Sequence, residues 1–290
     1  MYFDDVLSKY WAMSFSERDK GARFERLMRS YLLTDPKYTA LFQHVWLWEE
    51  FFARLQLGGV DTGIDLVAET IYGEFWAVQC KCYQEYATID KPDLDTFLSA
   101  SGRTFIDPAG VQTGFSARLW ISTTDRWTSN AENTLHNQTI PVLRINIGDL
   151  RNVSIDWTKL EAGVHGEAAR TAKFAPKPHQ AKAIYDTHEY FKHTDRGKLI
   201  MACGTGKTFT ALKIVEREYV SLALVLVPSI ALVGQTLNEW TGQAGEMINP
   251  ICVCSDPKVS QTRRKNAADP EGYSTIDLAD APGGSVLPEH

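Results

Sequence analysis

The run Lys198-Leu-Ile-Met-Ala-Cys-Gly-Thr-Gly-Lys-Thr208 constrains this chain more than any other segment. An apolar, strand-like stretch feeds a loop with two glycines, and the loop opens a helix that continues through Ala211, Leu212, Ile214 and Val215. Gly204 and Gly206 allow the backbone around Thr205 to turn its N–H groups inward, and the new helix adds its positive end. The result is a cradle for anions. Lys207 is placed to reach β and γ phosphates, and the Thr208 hydroxyl to ligate Mg²⁺, so the expected ligand is ATP with Mg²⁺. Met201 stands where the pattern G-x-x-x-x-G-K-[ST] has its first glycine.

The surroundings of this loop alternate between helix and strand from Phe174 onward, which predicts a parallel sheet with crossover helices over residues 176–290. The string Met201-Ala-Cys-Gly-Thr-Gly-Lys-Thr208 resembles motif I of the superfamily 2 motors found in restriction enzymes. Phe174-Ala-Pro-Lys-Pro-His-Gln180 resembles their Q motif, in which Gln180 would read the adenine edge with one donor and one acceptor. Ala223-Leu-Val-Leu-Val-Pro-Ser-Ile-Ala-Leu-Val-Gly-Gln235 resembles motif Ia, making Ser229 the candidate contact to a DNA phosphate. The resemblance thus implies a RecA-like lobe carrying motifs Q, I and Ia. No acidic motif II follows them, and no second lobe with an arginine finger. The expectation is weak nucleotide binding without translocation, from a segment of a longer protein.

The first half of the chain reads differently. Phe24, Leu27, Met28, Tyr31 and Leu32 form one helical face between Ser16, a candidate N-cap, and Asp35-Pro36. Two strand patterns follow, Gly63–Glu69 and Phe75–Tyr83, with a turn at Tyr72-Gly73 that predicts a hairpin. Residues two apart on a strand share a face, so Gln79 and Lys81 project together while Cys80 and Cys82 face the other way. Asp65 on one strand beside Gln79-Cys-Lys81 on its partner makes a workable metal-dependent phosphodiesterase site. Asp65 would bind Mg²⁺ (or Mn²⁺) with the Gln79 amide oxygen and the Cys80 backbone carbonyl. Lys81 would orient the attacking water and offset charge on the transition state. Further helix and strand patterns predict a mixed α/β domain over residues 1–160, followed by a linker at 161–175.

Gly21-Ala-Arg-Phe-Glu25-Arg-Leu-Met, Val60-Asp-Thr-Gly-Ile-Asp65-Leu-Val-Ala and Val78-Gln-Cys-Lys81-Cys-Tyr83 together resemble the Mrr branch of the PD-(D/E)xK nucleases. That resemblance adds Glu25 to Asp65, Gln79 and Lys81 as an active-site residue. Gln79 in place of the commoner glutamate removes one negative charge, which Glu25 or Asp61 would restore.

Composition narrows the remaining choices. The net charge of −6 argues against a protein that coats nucleic acid, yet leaves room for an enzyme with a local basic surface. The opening Met-Tyr-Phe-Asp-Asp lacks the basic start of a secretory signal, and no apolar run is long enough to span a membrane. The 5 cysteines suit a reducing cytoplasm. The pairs Cys80-x-Cys82 and Cys252-x-Cys254 are spaced too closely for the usual structural zinc site. A Mrr-like nuclease directly before a superfamily 2 motor resembles the start of the type ISP restriction-modification enzymes. This implies double-stranded DNA and ATP as partners, along with further motor, methyltransferase and target-recognition parts of the same polypeptide. Two other readings stay open: a repair or defence helicase with a fused nuclease and no methyltransferase, and an inactive DNA-binding module.

Overall fold

The computed structural model describes residues 2–59, 62–135, 138–248, 250–254 and 285–286. The described chain divides into two compact units, one reaching Arg170 and including the residues after 250, the other Thr171–Pro250.

In the first unit, helix α1 (Phe3–Met13) precedes α2 (Glu17–Leu32), which Ser16 caps by accepting a hydrogen bond from the Asp19 N–H. The apolar face read from the sequence is buried: Phe24, Met28, Tyr31 and Leu32 have no exposed surface. Asp35 does more than end that helix, because its carboxylate caps a short α3 (Pro36–Thr39).

The aromatic stretch that follows forms an additional strand, β1 (Phe42–Leu47). It pairs antiparallel with β2 (Leu66–Thr70), which forms the expected hairpin with β3 (Phe75–Lys81). After the two-residue β4 (Thr88–Ile89) come α4 (Lys91–Ala100), β5 (Thr104–Ile106) and the long β6 (Gln112–Ser122). Next are β7 (Arg126–Trp127), α5 (Ser129–Leu135), β8 (Val142–Ile145) and α6 (Ile147–Arg151). Strand β6 runs parallel to both β3 and β8 and antiparallel to β5, giving a mixed 6-stranded sheet.

Each face of this sheet carries its own core. Val78, Cys80, Leu119 and Ile121 pack with α1 and α2, whereas Ala77, Trp120 and Phe97 belong to the opposite cluster with α4. Near-continuous apolar runs in β3 and β6 are what strands covered on both faces require. Arg118, buried in β6, is fully engaged, donating to Ser101 Oγ, Gln138 Oε1 and the carbonyls of Leu98 and Ile140.

One expected boundary shifts. Residues 161–170, expected within a linker, are part of the first unit: α7 (Trp157–Glu161) and a 3₁₀ turn at Gly166–Ala169 bury Trp157, Leu160 and Ala169 in the α1–α2 core. Only two glycines and weak periodicity mark the sequence there, while the burial comes from side chains far back in the chain, such as Phe3 and Tyr31 against Trp157. Arg170 donates to the Thr34 carbonyl, and Gly166 N–H to Thr34 Oγ1.

The second unit contains α8 (Pro178–Phe191), α9 (Lys207–Arg217) and α10 (Ile230–Gln243), and beyond it β9 (Val253–Cys254) and β10 (Ser285–Val286) pair in parallel. Among the described residues, segments 198–202 and 222–227 have no strand partner, and Ile200, Leu222, Leu224 and Leu226 are each more than 80% exposed. A strand has no backbone hydrogen bonds of its own, so an apolar run becomes one only where neighbours pair with it.

Candidate nuclease site and phosphate loop

The carboxyl end of β3 gathers the residues of the first candidate site. Beyond the β1–β2 pairing, Asp65 continues the ladder: its N–H donates to the Val78 carbonyl, and its carbonyl accepts from Trp48 N–H at 2.8 Å. The Asp65 side chain then turns to the edge of β3, where Oδ2 accepts a 2.7 Å hydrogen bond from Cys80 N–H. That places the carboxylate against the peptide between Gln79 and Lys81.

Gly63 makes this approach feasible. Its φ of +68° lies in the left-handed region, and a Cβ there would come within 3.1 Å of Phe97 N and 3.3 Å of Gln79 Nε2. The glycine of Gly63-Ile-Asp65 thus lets α4 and the Gln79 amide close on the loop.

Electrostatics tie the residues into one group. Burial, aggravated by the charge of Glu25, pushes the Asp65 pKa up to about 7, against the lowering effects of the Cys80 N–H and the Lys81 ammonium. Glu25 is likewise raised, first by burial and then by Glu49, while Arg26 and Lys81 oppose the shift. Glu25 on α2, Asp65 before β2 and Lys81 at the end of β3 therefore share one field. Asp61 lies outside the described residues.

Gln79 is 98% buried, being only 2% exposed, and its Oε1 has no hydrogen-bond partner. Among the described residues the side chains of Glu25 and Lys81, and Asp65 Oδ1, also have no hydrogen-bond or ion-pair partner. A buried amide oxygen without a donor, beside two carboxylates that repel each other, is the donor set a hard divalent cation takes. The Cys80 thiol is no part of it: it packs in the α2-side core, where burial pushes it up. Among the described residues no group of three or more His, Cys, Asp or Glu side chains is arranged to hold a metal, so the set depends on the Gln79 amide and backbone oxygen.

Two features escaped the sequence reading. Glu49, one residue beyond the Trp48–Asp65 bond, adds a carboxylate whose charge reaches Glu25. The buried Thr123 and Thr124, after β6, donate to the carbonyls of Tyr83 at 2.6 Å and Ala87 at 2.7 Å. With the bond from Thr123 N–H to the Lys81 carbonyl, they hold the chain immediately after the lysine. Neither has a motif: Glu49 is placed by the pairing of β1 with β2, and the threonines by the parallel β3–β6 register.

The second candidate site lies in the other unit. Gly206, at φ +78°, is the N-cap of α9, and helix geometry begins at Lys207 as the phosphate-loop pattern requires. Gly204 is also left-handed, at φ +74°. Thr205 Oγ1 and Lys207 Nζ both donate to the Ala202 carbonyl, at 2.7 and 3.2 Å. The Thr208 carbonyl accepts from Trp240 Nε1 of α10. Gln180, near the start of α8, is directed at this loop, its Nε2 donating to the Thr205 carbonyl. Ser229 is exposed and caps α10, accepting from Leu232 N–H at 3.3 Å.

Comparison with known proteins agrees with this division of labour. Residues 33–167 match the family described as a restriction endonuclease, Mrr_cat_2, and residues 173–272 match the family described as Type III restriction enzyme, res subunit. No protein of curated function matches the chain. A solved structure titled "ATP-dependent Type ISP restriction-modification enzyme LlaBIII bound to DNA" resembles it at 30% identity over 90% of this chain, with a TM-score of 0.68. This chain spans 16% of the length of that protein. A restriction endonuclease domain thus precedes a helicase-like region, in the order of a type ISP enzyme.

Proposed function

We propose that this chain, joining a restriction endonuclease domain to a helicase-like region, is the cleaving and ATP-binding part of a type ISP-like restriction-modification enzyme. Its reaction is metal-dependent hydrolysis of DNA phosphodiester bonds. The further motor, methyltransferase and target-recognition parts belong to the same longer polypeptide, and DNA translocation requires them. The observation that carries the reading is the junction at Asp65, where a carboxylate bonded to Cys80 N–H meets Glu25, Lys81 and the partnerless Gln79 Oε1.

Asp65, Gln79 Oε1 and the Cys80 carbonyl would hold Mg²⁺ or Mn²⁺, with Glu25 restoring the charge that glutamine lacks. Such an ion lowers the pKa of bound water and shields the phosphate's charge. Lys81 orients the water for attack and donates to the oxygen on which negative charge grows. In the second unit Gly204, Thr205, Gly206 and Lys207 would cradle the phosphates of ATP, and Thr208 would ligate its Mg²⁺. Ser229, at a helix N-terminus, would meet a DNA phosphate. We take double-stranded DNA as the substrate; the LlaBIII structure is titled as bound to DNA. No described helix is long and apolar enough to cross a membrane. We place the protein in the cytoplasm, where DNA and ATP occur and free cysteines stay reduced.

Incubating supercoiled plasmid with the chain and Mg²⁺ or Mn²⁺ tests the reading. Metal-dependent nicking should fall at least about a hundredfold in Lys81→Ala and in Asp65→Ala. Equal nicking by wild type and both variants would overturn the site. No metal binding by the wild type, measured calorimetrically, would leave an inactive DNA-binding fold.

A further inference from the structure

We infer that Arg18 and Arg26 of α2 contact DNA phosphates and position one strand of the duplex across Glu25. This rests on the reading of the first unit as a nuclease and adds the surface that brings DNA to it. Helix α2 runs along the sheet edge where the candidate residues gather. Near its start the Lys20 ammonium acts on the Cys82 thiol, just past β3. Near its end Arg29 donates to the Val45 carbonyl at 3.0 Å and to Glu50 at 3.1 Å, at the close of β1. Glu25 lies between these points, in the fields of Glu49 and Lys81.

The cations of α2 fall into two sets. Lys20 is held by Glu17 at 2.6 Å and lies over the Trp11 ring, Arg23 pairs with Asp19, and Arg29 pairs with Glu50. Arg18 and Arg26 are exposed, and among the described residues neither guanidinium has a hydrogen-bond or ion-pair partner. Arg18 is the second residue of α2, where the helix dipole disfavours a cation, so helix stability does not account for it. Residues 18, 22 and 26 follow one another at four-residue steps and share a face. Ala22, between the two arginines, keeps that face low. A Cβ on Gly21 would meet only Glu25 Oε1, at 3.8 Å, so the space beside the carboxylate is open. Eight residues of helix rise about 12 Å, the span of three to four phosphates on one strand at about 3.4 Å each. A strand held at both arginines thus passes its middle phosphates over Ala22 and Glu25, and the two guanidiniums offset the repulsion from that carboxylate. They are the local basic surface that a chain of net charge −6 needs to hold DNA.

Binding of a labelled double-stranded oligonucleotide to the full chain, in EDTA and over a range of salt, separates a phosphate contact from a structural role. Each arginine that neutralises a phosphate contributes about 0.9 to the slope of log K against log salt. Arg18→Ala and Arg26→Ala should each lower the slope by about that amount and weaken binding about fivefold to tenfold near 0.1 M salt. Arg26→Lys should keep the wild-type slope, because it keeps the charge. Arg23→Ala should keep it too, since Asp19 already holds that guanidinium. Wild-type slopes in both arginine-to-alanine variants at 18 and 26 would overturn the inference, as would an equal fall in Arg23→Ala. Neither result touches the nuclease reading, which metal-dependent nicking by the wild type decides. Absence of duplex binding by the wild type at low salt would remove both.

Discussion

Leu119 and Leu226 sit in apolar runs of similar composition, yet one is 2% exposed and the other 83%. Leu119 lies in β6, between β3 and β8, with a core on each face of the sheet. Leu226 lies in a run with no strand partner among the described residues. Helices α2 and α10, one in each unit, form with Ser16 and Ser229 capping them, because helix hydrogen bonds close within the segment. A strand is a statement about its neighbours, and the two units differ chiefly in how many neighbours they supply. Contiguous exposed apolar runs such as 222–226 mark surfaces that a further part of a protein covers.

The largest expected effect tests whether the two units act separately. Lys207→Ala should abolish measurable binding of Mg²⁺–ATP and leave metal-dependent nicking of plasmid within about twofold of wild type. Loss of both activities together would show that the division at Arg170 does not separate the functions.

A second test concerns the charge buried in the first unit alone. The Asp65 pKa lies near 7 in the folded chain against an ordinary 3.8, so between these values the folded state binds the extra proton. Stability of the metal-free chain should therefore fall as pH rises from about 4 to about 7, by up to about 4 kcal/mol at roughly 1.4 kcal/mol per pKa unit. Below that window both states are protonated, and above it no further loss accrues. Asp65→Asn should flatten the decline, measured by urea denaturation followed through tryptophan fluorescence. A slope that persists in the variant would assign the decline to other groups. Because a metal takes the deprotonated carboxylate, Mg²⁺ affinity should rise over the same window.

The smallest effects address the comparison itself. Leu119→Ala should destabilise the first unit by about 3 kcal/mol, while Leu226→Ala should change the second by less than about 0.5 kcal/mol. A large loss at Leu226 would mean that its run is covered in solution.

Much of the candidate site was legible in the sequence because its parts are local. Gly63-Ile-Asp65 and Gln79-Cys-Lys81 lie on two arms of one hairpin, so alternation and a turn signal suffice to bring them together. The phosphate loop is more local still, a single turn in which the glycines and the helix start are adjacent. Glu49 and the Thr123–Thr124 clasp were not legible, since β1 could not be told from a generally aromatic stretch and the clasp depends on the β3–β6 register.

By itself, the sequence determined the α2 helix, the hairpin, the candidate residues for a metal or a phosphate, and the order of the endonuclease and helicase-like regions. Each depends on spacing within a few residues, where backbone geometry leaves few alternatives. Tertiary structure alone decided that Asp65 turns onto the Cys80 peptide beside Glu25, that residues up to Arg170 fold into the first unit, and that the Gln180 amide is engaged at Thr205. It also decided which apolar runs became strands. These outcomes depend on burial and on partners distant in the chain, and neither spacing nor composition records who the neighbour will be.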